Sequence, residues 1–220
     1  DGIVVLRDIE YARAGEKRLL LDLYLPDRPS GRLPVIVSIH GGGWASGSKA
    51  ASSGFRYAAQ GYAVASIGYR LSAEAIFPAQ IEDCKAAVRW LRANADKYNL
   101  DPSRFAAWGG SAGGHLAALL GTSGGVRDLE GGPGNLDQSS HVQAVIDFFG
   151  PTDFLQMDAQ AAQQQTARGG MRHDAPNSPE SRLIGAPIQE HKEKAARANP
   201  VRYVTADDPP FLIMHGEQDP

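Results

Sequence analysis

Short apolar runs recur along the chain, separated by longer segments in which apolar and polar residues mix. A run that is apolar at consecutive positions is typical of a strand buried on both faces of a parallel sheet. Gly150 and Pro151 end one of these runs, as expected of residues that punctuate strands. Strands are therefore predicted at 34–39, 62–69, 105–109, 142–149 and 211–215.

Between these runs the apolar spacing changes to that of helices. Ile81, Cys84, Val88 and Leu91 recur every three or four positions and predict a helix over 79–98. Shorter helices are predicted at 55–60 and 112–120. Strands that alternate with helices indicate βαβ units and a mostly parallel sheet, so the predicted fold class is α/β.

The two ends of this pattern differ from its middle. Residues 3–25 alternate in polarity and predict an antiparallel hairpin that turns at 14–17, a common addition to parallel sheets. Residues 152–200 are polar and rich in Gln, Gly and Pro, and the segment is far longer than a usual connection. We expect one α/β domain over 1–220, with 152–200 as a lid-like insertion.

Composition and charge narrow the function classes. The 220 residues can bury one substantial core, and a net charge of −3 gives no reason to expect nucleic acid or an acidic membrane as partner. No apolar run approaches the roughly 20 residues that span a bilayer. Cys84 is the only cysteine, so no intrachain disulfide can form. The sequence begins at Asp1, which predicts a trimmed product, cytoplasmic or secreted after signal removal.

Candidate chemistry lies in two glycine-rich turns that each follow a predicted strand. The second turn, Gly109-Gly110-Ser111-Ala112-Gly113, has the G-x-S-x-G spacing of a nucleophile elbow. A serine hydroxyl is a poor nucleophile unless a base takes its proton and a sharp turn exposes it, which requires small neighbours. We predict that Ser111 is the nucleophile, and that the amide of Ala112 donates to a developing oxyanion.

The first turn, His40-Gly41-Gly42-Gly43-Trp44, is predicted to supply the other oxyanion donors. Consecutive glycines allow the backbone to turn its N–H groups inward. We expect these donors to be Gly42 and Gly43, and we expect His40 to tie the loop down through a hydrogen bond. Trp44 and Tyr69 are candidate substrate-binding residues, with an ordinary place in the core as the alternative for each.

A G-x-S-x-G pattern alone arises easily by chance in a glycine-rich chain. Two such turns, in the right order and each after a strand, are much harder to explain by chance. Phosphate-binding patterns do not match, because Ser46 stands where G-x-G-x-x-G requires its last glycine and Ser48 separates Gly47 from Lys49.

These residues resemble the α/β-hydrolase superfamily, and within it the bacterial carboxylesterases related to acetyl-xylan and feruloyl esterases, neighbours of the hormone-sensitive-lipase group. The resemblance implies a three-layer sandwich, a triad in the order Ser, Asp, His, and no metal or cofactor. It places Asp219 at the triad acid, just beyond the last predicted strand. The matching segments are 21–26, 40–44, 68–71, 77–79, 101–102, 109–115, 150–153, 178–181 and 209–219.

The resemblance also implies a further strand and a histidine-bearing loop after Asp219, which this sequence does not contain. Of the six histidines, His115 should pack under the elbow. His173 and His191 lie in the insertion on the correct face of the sheet, so either is an alternative base, provided that it reaches both Ser111 and Asp219. We therefore expect a C-terminally truncated esterase that is impaired alone. We also expect its last strand to be an apolar sheet edge through which a homodimer could form.

The function that these observations favour is a serine carboxylesterase that cleaves short-chain acyl, acetyl or feruloyl esters, small or polysaccharide-linked, through an acyl-enzyme. One alternative is an arylformamidase-like amidase, which uses the same elbow and a similar glycine loop. Another is a catalytically inactive hydrolase-fold protein that binds ligands. The missing histidine favours this last alternative, whereas the intact Ser111, Asp219 and glycine loop argue against it.

Overall fold

The computed structural model describes residues 2–52, 54–132, 134–163, 172–217 and 219. Its strands form one seven-stranded sheet in the order β1-β2-β4-β3-β5-β6-β7. The strands are β1 (Ile3–Ala14), β2 (Lys17–Pro26), β3 (Leu33–Ile39), β4 (Ala63–Ile67), β5 (Leu100–Gly110), β6 (Ala144–Phe148) and β7 (Phe211–Met214). The helices are α1 (Gly54–Ala58), α2 (Ala79–Ala93), α3 (Ala112–Thr122), α4 (Met157–Gln163), α5 (Pro179–Ile184) and α6 (Lys192–Ala198).

The sheet combines an antiparallel edge with a parallel centre. β1 and β2 pair as an antiparallel hairpin, and β2 pairs antiparallel with β4. The pairs from β4 through β3, β5 and β6 to β7 are all parallel. The predicted α/β class, with a mostly parallel sheet and an N-terminal hairpin, is therefore confirmed.

Helices cover both faces of this sheet. In β3, Val37 belongs to the main core beneath α2 and α3, whereas its neighbour Ile36 packs with Ala58 of α1 on the other face. Because successive strand residues point to opposite faces, an uninterrupted apolar strand serves both layers. The result is a three-layer α/β sandwich.

Two element boundaries differ most from the sequence prediction. The helix predicted to reach 98 ends at Ala93, where Asn94 caps it: the backbone N–H and the side-chain amide of Asn94 donate to Trp90 O at 3.0 and 2.9 Å. The strand predicted at 105–109 begins earlier, at Leu100, which pairs with Leu33. A register shift follows that pair, and it accommodates Pro102 within the strand.

The insertion predicted at 152–200 contains helices α4, α5 and α6, and part of it, 164–171, lies outside the described residues. Among the described helices, none has the length and apolar character needed to cross a bilayer. The parallel register matters most for function: Ile39 at the end of β3 pairs with Gly109 near the end of β5. The two glycine-rich turns thus leave the sheet side by side.

Candidate active site

Ser111 occupies a sharp turn between β5 and α3. Its backbone has φ 56° and ψ −125°, a conformation that L-residues rarely adopt. The turn is held by two hydrogen bonds: the Ser111 N–H donates to Phe148 O at 2.9 Å, and Ser111 O accepts from the His115 N–H at 3.0 Å. The serine side chain is exposed. This is the geometry expected of a nucleophile elbow.

Glycines around Ser111 allow α3 to approach the strands closely. A Cβ atom on Gly109 would overlap the carbonyl of Gly113, and a Cβ atom on Gly113 would overlap the carbonyl of Ile39. Small residues are therefore required on both sides of the serine for steric reasons. The glycine pattern in the sequence records this close packing.

The glycine loop after β3 lies against the elbow. Gly42 and Gly43 have φ of 111° and 57°, which favours glycine at both positions. Gly42 O accepts from the N–H groups of Ala45 and Ser46, each at 3.1 Å. These bonds close a tight turn that begins at Gly42 and contains Trp44.

The N–H groups expected to form an oxyanion hole are unoccupied by protein acceptors. Within the described residues, no hydrogen bond takes up the backbone N–H of Gly42, Gly43 or Ala112. Ala112 directly follows Ser111 in the chain. Gly42 and Gly43 directly follow Gly41, where a Cβ atom would lie 3.5 Å from the Cβ atom of Ser111. Their role as oxyanion donors stays a prediction, and their free N–H groups support it.

His40 and Tyr69 support the loop from behind. As predicted, His40 ties the loop down: its Nδ1–H donates to Gly41 O at 2.8 Å, and its ring stacks on Tyr69 with centroids 4.3 Å apart. The Tyr69 hydroxyl donates to His40 O at 3.0 Å. Burial lowers the pKa of His40, although its bond to Gly41 acts in the opposite direction. His40 is thus held as a neutral ring that secures the loop.

Trp44 and Tyr69 lie in the core, which is the alternative that the sequence left open for each of them. Trp44 is 2% exposed, and its ring packs edge-on against His115 and Phe154. Tyr69 is 5% exposed and its hydroxyl is used by His40. Both side chains therefore support the loop in this structure, because their polar atoms are bonded inside the protein. A direct contact of either with substrate stays a prediction.

A cavity of about 440 Å³ opens beside Ser111. Its wall is aromatic, formed by Trp108, Phe148 and Phe149, and serine hydroxyls add a polar side. Phe149 has φ 46° and is 46% exposed, so this part of the wall is open to solvent. A larger cavity of about 830 Å³, lined by Arg28, Arg32 and Arg104 among others, contains none of the predicted site residues.

Asp219 follows β7 at the same end of the sheet as the glycine turns. Its Oδ2 atom lies 3.6 Å from His215 Nε2, and both side chains are substantially exposed. No hydrogen bond of the described residues joins Asp219 or any of the six histidines to the Ser111 hydroxyl. The structure thus brings Ser111 together with the glycine loop and Ala112, and leaves the predicted acid outside that group of contacts.

Two buried acidic side chains, Asp147 and Glu180, were not assigned a role from the sequence. Asp147, in the middle of an apolar strand, accepts the Gly150 N–H at 2.9 Å, and burial raises its pKa. Glu180 is 3% exposed and accepts from His173 Nδ1 at 3.0 Å, while its other oxygen, Oε2, has no partner. A charge within an apolar run was the available signal for Asp147.

Comparison with known proteins decides the family. A family model described as BD-FAE matches residues 21–220, nearly the whole chain. The chain belongs to the BD-FAE family. Its α/β-hydrolase esterase character, expected from the resemblance, is confirmed at the level of family and fold.

Several proteins that are similar to this BD-FAE chain carry esterase names. It is 31% identical to the probable carboxylic ester hydrolase LipM of Mycobacterium tuberculosis over 96% of the chain and 47% of LipM. It is 39% identical to a bifunctional GH43-CE protein of Bacteroides eggerthii, with a TM-score of 0.85, over 97% of this chain and 30% of the other.

A truncated form of a carbohydrate esterase from gut microbiota is also similar, with 38% identity and a TM-score of 0.83. That match covers 97% of this chain and 77% of the other. The chain spans about half the length of the curated relatives LipM, LipQ and LipC of Mycobacterium tuberculosis.

Proposed function

We propose that this chain carries the nucleophile and the oxyanion loop of a serine carboxylesterase. The observation that carries the proposal is Ser111, an exposed serine held at φ 56° beside free backbone N–H groups. Strained backbone of this kind is retained where it serves function. The esterase names of LipM and of the carbohydrate esterase support the same chemistry.

The proposed reaction proceeds through an acyl-enzyme. Ser111 Oγ attacks the ester carbonyl while a base takes its proton, and the carbonyl oxygen becomes an oxyanion. The N–H groups of Gly42, Gly43 and Ala112 donate to that oxyanion; one such donor is typically worth about 3 kcal/mol of barrier. The base then returns the proton to the departing alcohol, and water hydrolyses the acyl-enzyme by the same steps.

The base in this proposal is an imidazole from outside these 220 residues. Each chain histidine is engaged elsewhere or distant in sequence from the elbow, and none contacts the Ser111 hydroxyl in the described structure. His115, the one closest along the chain, is fully buried and bonded at both ring nitrogens. Asp219 would orient the incoming imidazole.

The proposed substrates are short acyl esters, acetyl or feruloyl, including those linked to polysaccharide. The aromatic wall of the cavity beside Ser111 suits an acyl group, and a planar aromatic acyl group most of all. The carbohydrate esterase neighbours support a sugar as the alcohol part. Aryl acetates are convenient probes of this activity.

The test compares p-nitrophenyl acetate hydrolysis by the chain and by its Ser111→Ala variant, with and without added imidazole. The background of free imidazole is the same in both proteins and is subtracted. We expect a Ser111-dependent rate only when imidazole is added, because the free base replaces the missing partner. A Ser111-dependent rate without imidazole would overturn the external base, and no difference under either condition would overturn the esterase proposal.

One observation favours a second candidate, a hydrolase-fold protein that binds ligands without turnover: among the described residues, no histidine side chain is hydrogen-bonded to the Ser111 hydroxyl. Labelling of Ser111 by a p-nitrophenyl phosphonate, followed by mass spectrometry, separates the two. A labelled Ser111 supports the esterase, whereas an unlabelled protein that still binds an acetylated oligosaccharide supports the binding protein. Comparison of an aryl acetate with N-formylkynurenine tests the amidase alternative.

Homodimer formation through β7 stays a prediction. In the described sheet β7 pairs only with β6, and Leu212, Ile213 and Met214 are each about half exposed or more. An apolar sheet edge of this kind favours pairing with a second strand. Light scattering at rising protein concentration tests this, and a monomer at high concentration contradicts it.

A further inference from the structure

His115 lies where the nucleophile helix meets the glycine loop. It is four residues after Ser111, and its N–H donates to Ser111 O at 3.0 Å, so its backbone belongs to the elbow itself. Its side chain is fully buried, at 0% exposure. A buried imidazole needs partners for both ring nitrogens, because an unpaired buried polar atom is costly.

Both nitrogens have partners, and these partners fix the tautomer. The Trp44 Nε1–H donates to His115 Nδ1 at 3.2 Å, and an indole nitrogen can only donate. His115 Nε2 lies 2.7 Å from Ala198 O, which can only accept. His115 is therefore the neutral imidazole that carries its proton on Nε2. Burial is the main reason that its pKa is lowered to about 4.

Trp44 is the residue that ends the glycine loop, and its backbone is strained. Its φ of 55° is rare for a bulky residue and must be held by its surroundings. The indole ring is gripped by His115 through the hydrogen bond and by Phe154, whose centroid lies 5.4 Å from it. Gly43, one of the expected oxyanion donors, directly precedes this anchored residue.

From these contacts we infer that His115 is a positioning residue: through Trp44 it fixes the Gly41–Gly43 loop relative to Ser111. The inference rests on the proposed function for its catalytic consequence, but its structural part stands alone. His115 takes no proton from the serine, because both of its nitrogens are used within the protein. It sets where the Gly43 N–H lies when an oxyanion forms.

Two amide substitutions separate the two bonds of His115. In His115→Gln the side-chain amide reaches the Nε2 position and can still donate to Ala198 O, but the acceptor for Trp44 is lost. In His115→Asn the amide oxygen lies near the Nδ1 position and can still accept from Trp44, but the donor to Ala198 O is lost. Each variant loses one buried hydrogen bond, so the pair is matched in kind.

The first measurement is amide hydrogen exchange at Ala45 and Ser46, whose N–H groups bond to Gly42 O and report on the closed loop. We expect exchange to accelerate about fivefold in His115→Gln, the effect of losing one net hydrogen bond. We expect it to stay near the wild-type rate in His115→Asn. Equal exchange in the two variants would overturn the inference. If His115→Gln does not fold, Trp44→Phe removes the same bond from its other side.

The second measurement is a double-mutant cycle of His115 and Trp44, which is measured by amide exchange. On a Trp44→Phe background, His115→Gln should add nothing further to the exchange rates, because the bond is already absent. Additive effects would mean that His115 does not act through Trp44.

In the imidazole-supplemented assay His115→Gln should lower kcat on the order of 10- to 100-fold with KM retained. If exchange is faster in His115→Gln but the wild type shows no Ser111-dependent hydrolysis, the esterase proposal fails and the positioning role of His115 stands.

Discussion

A Cβ atom on Gly41 would lie 2.9 Å from the carbonyl oxygen of Gly110 and 3.5 Å from the Cβ atom of Ser111. The glycine loop and the elbow therefore meet backbone against backbone, with no side chain between them. This contact fixes how near the loop N–H groups can come to the serine. Oxyanion stabilisation depends on that distance, since the donors act at hydrogen-bond range.

Gly41→Ala should impair the reaction more than it impairs folding. The added methyl group must push the loop a few tenths of an ångström away from Gly110, and displacements of an active-site donor on the order of 1 Å cost up to about 100-fold in rate. We expect kcat in the imidazole-supplemented assay to fall about tenfold, with a change in melting temperature of only a few degrees. Steady-state kinetics and thermal denaturation measure the two effects.

Gly31→Ala is the matched control for this substitution. Gly31 lies in the loop before β3, and a Cβ atom there would meet nothing within 4 Å. Its kcat should equal that of the wild type. An equal loss in both variants would mean that Gly41→Ala acts through general stability, and an unchanged kcat in Gly41→Ala would mean that the loop is not held by Gly110.

The fold and the two turns could be predicted from the sequence because their signals are local. The apolar run before Gly41 and the run before Gly109 each mark a strand end, and parallel strands that end side by side bring their turns together. Glycines mark the positions where α3 packs closely against the strands. The fold implied by the family resemblance agrees with these local signals, as expected when local sequence preferences match the global fold.

The supports of the site could not be predicted, because they join distant positions. Trp44 and His115 are 71 residues apart, and His115 and Ala198 are 83 apart. Nothing in the spacing of these residues indicates that an indole and an imidazole will meet. From the sequence alone, Trp44 suits either a substrate contact or a place in the core, because an aromatic residue after a glycine loop is compatible with both. The structure buries its ring, and a contact with substrate stays a prediction.

Tyr69→Phe tests whether Tyr69 supports the loop or contacts substrate. The substitution removes the hydroxyl that donates to His40 O at 3.0 Å and keeps the ring that stacks on His40. We expect the free energy of unfolding to fall by about 1 kcal/mol, with KM unchanged. Urea denaturation and steady-state kinetics provide the two values. A raised KM with unchanged stability would instead show that the hydroxyl contacts substrate.

The buried His115 should make the protein sensitive to acid in a defined window. Its folded-state pKa is lowered from 6.5 to about 4, so between these values the unfolded chain binds a proton that the folded protein does not. The contribution of the neutral imidazole to the free energy of unfolding is fully present above pH 6.5. It is lost as the pH falls to 4, and the total loss is about 3 kcal/mol. His115→Gln lacks this titration.

The measurement is the difference in unfolding free energy between wild type and His115→Gln at several pH values. At pH 7 the wild type should be the more stable protein, because it keeps the bond to Trp44. The gap should narrow steadily from pH 6.5 to 4. A gap that stays constant over this range would contradict the burial of a neutral His115.

Lys49 holds the segment that follows the glycine loop, through a buried carboxylate. Its Nζ donates to Asp22 Oδ1 at 2.6 Å, and Asp22 has only 1% of its side chain exposed. Without Lys49 the buried carboxylate keeps only the Asp8 N–H at 2.8 Å and the exposed Arg7 at 3.3 Å as partners, so its charge is less well compensated. We expect Lys49→Met to lower the free energy of unfolding by about 3 kcal/mol, measured by urea denaturation.

Lys17→Met provides the comparison, because Lys17 pairs with Glu74 where both side chains are well exposed. Exposed pairs contribute less than about 1 kcal/mol, so this variant should stay close to the wild type. Lys49→Met should also displace residues of the cavity beside Ser111. Lys49 begins a short helical turn, and Ala51 and Ser52 at the end of that turn line the cavity. A raised KM for aryl esters should therefore accompany the lost stability. Equal stabilities in the two variants would show that Asp22 is satisfied without Lys49.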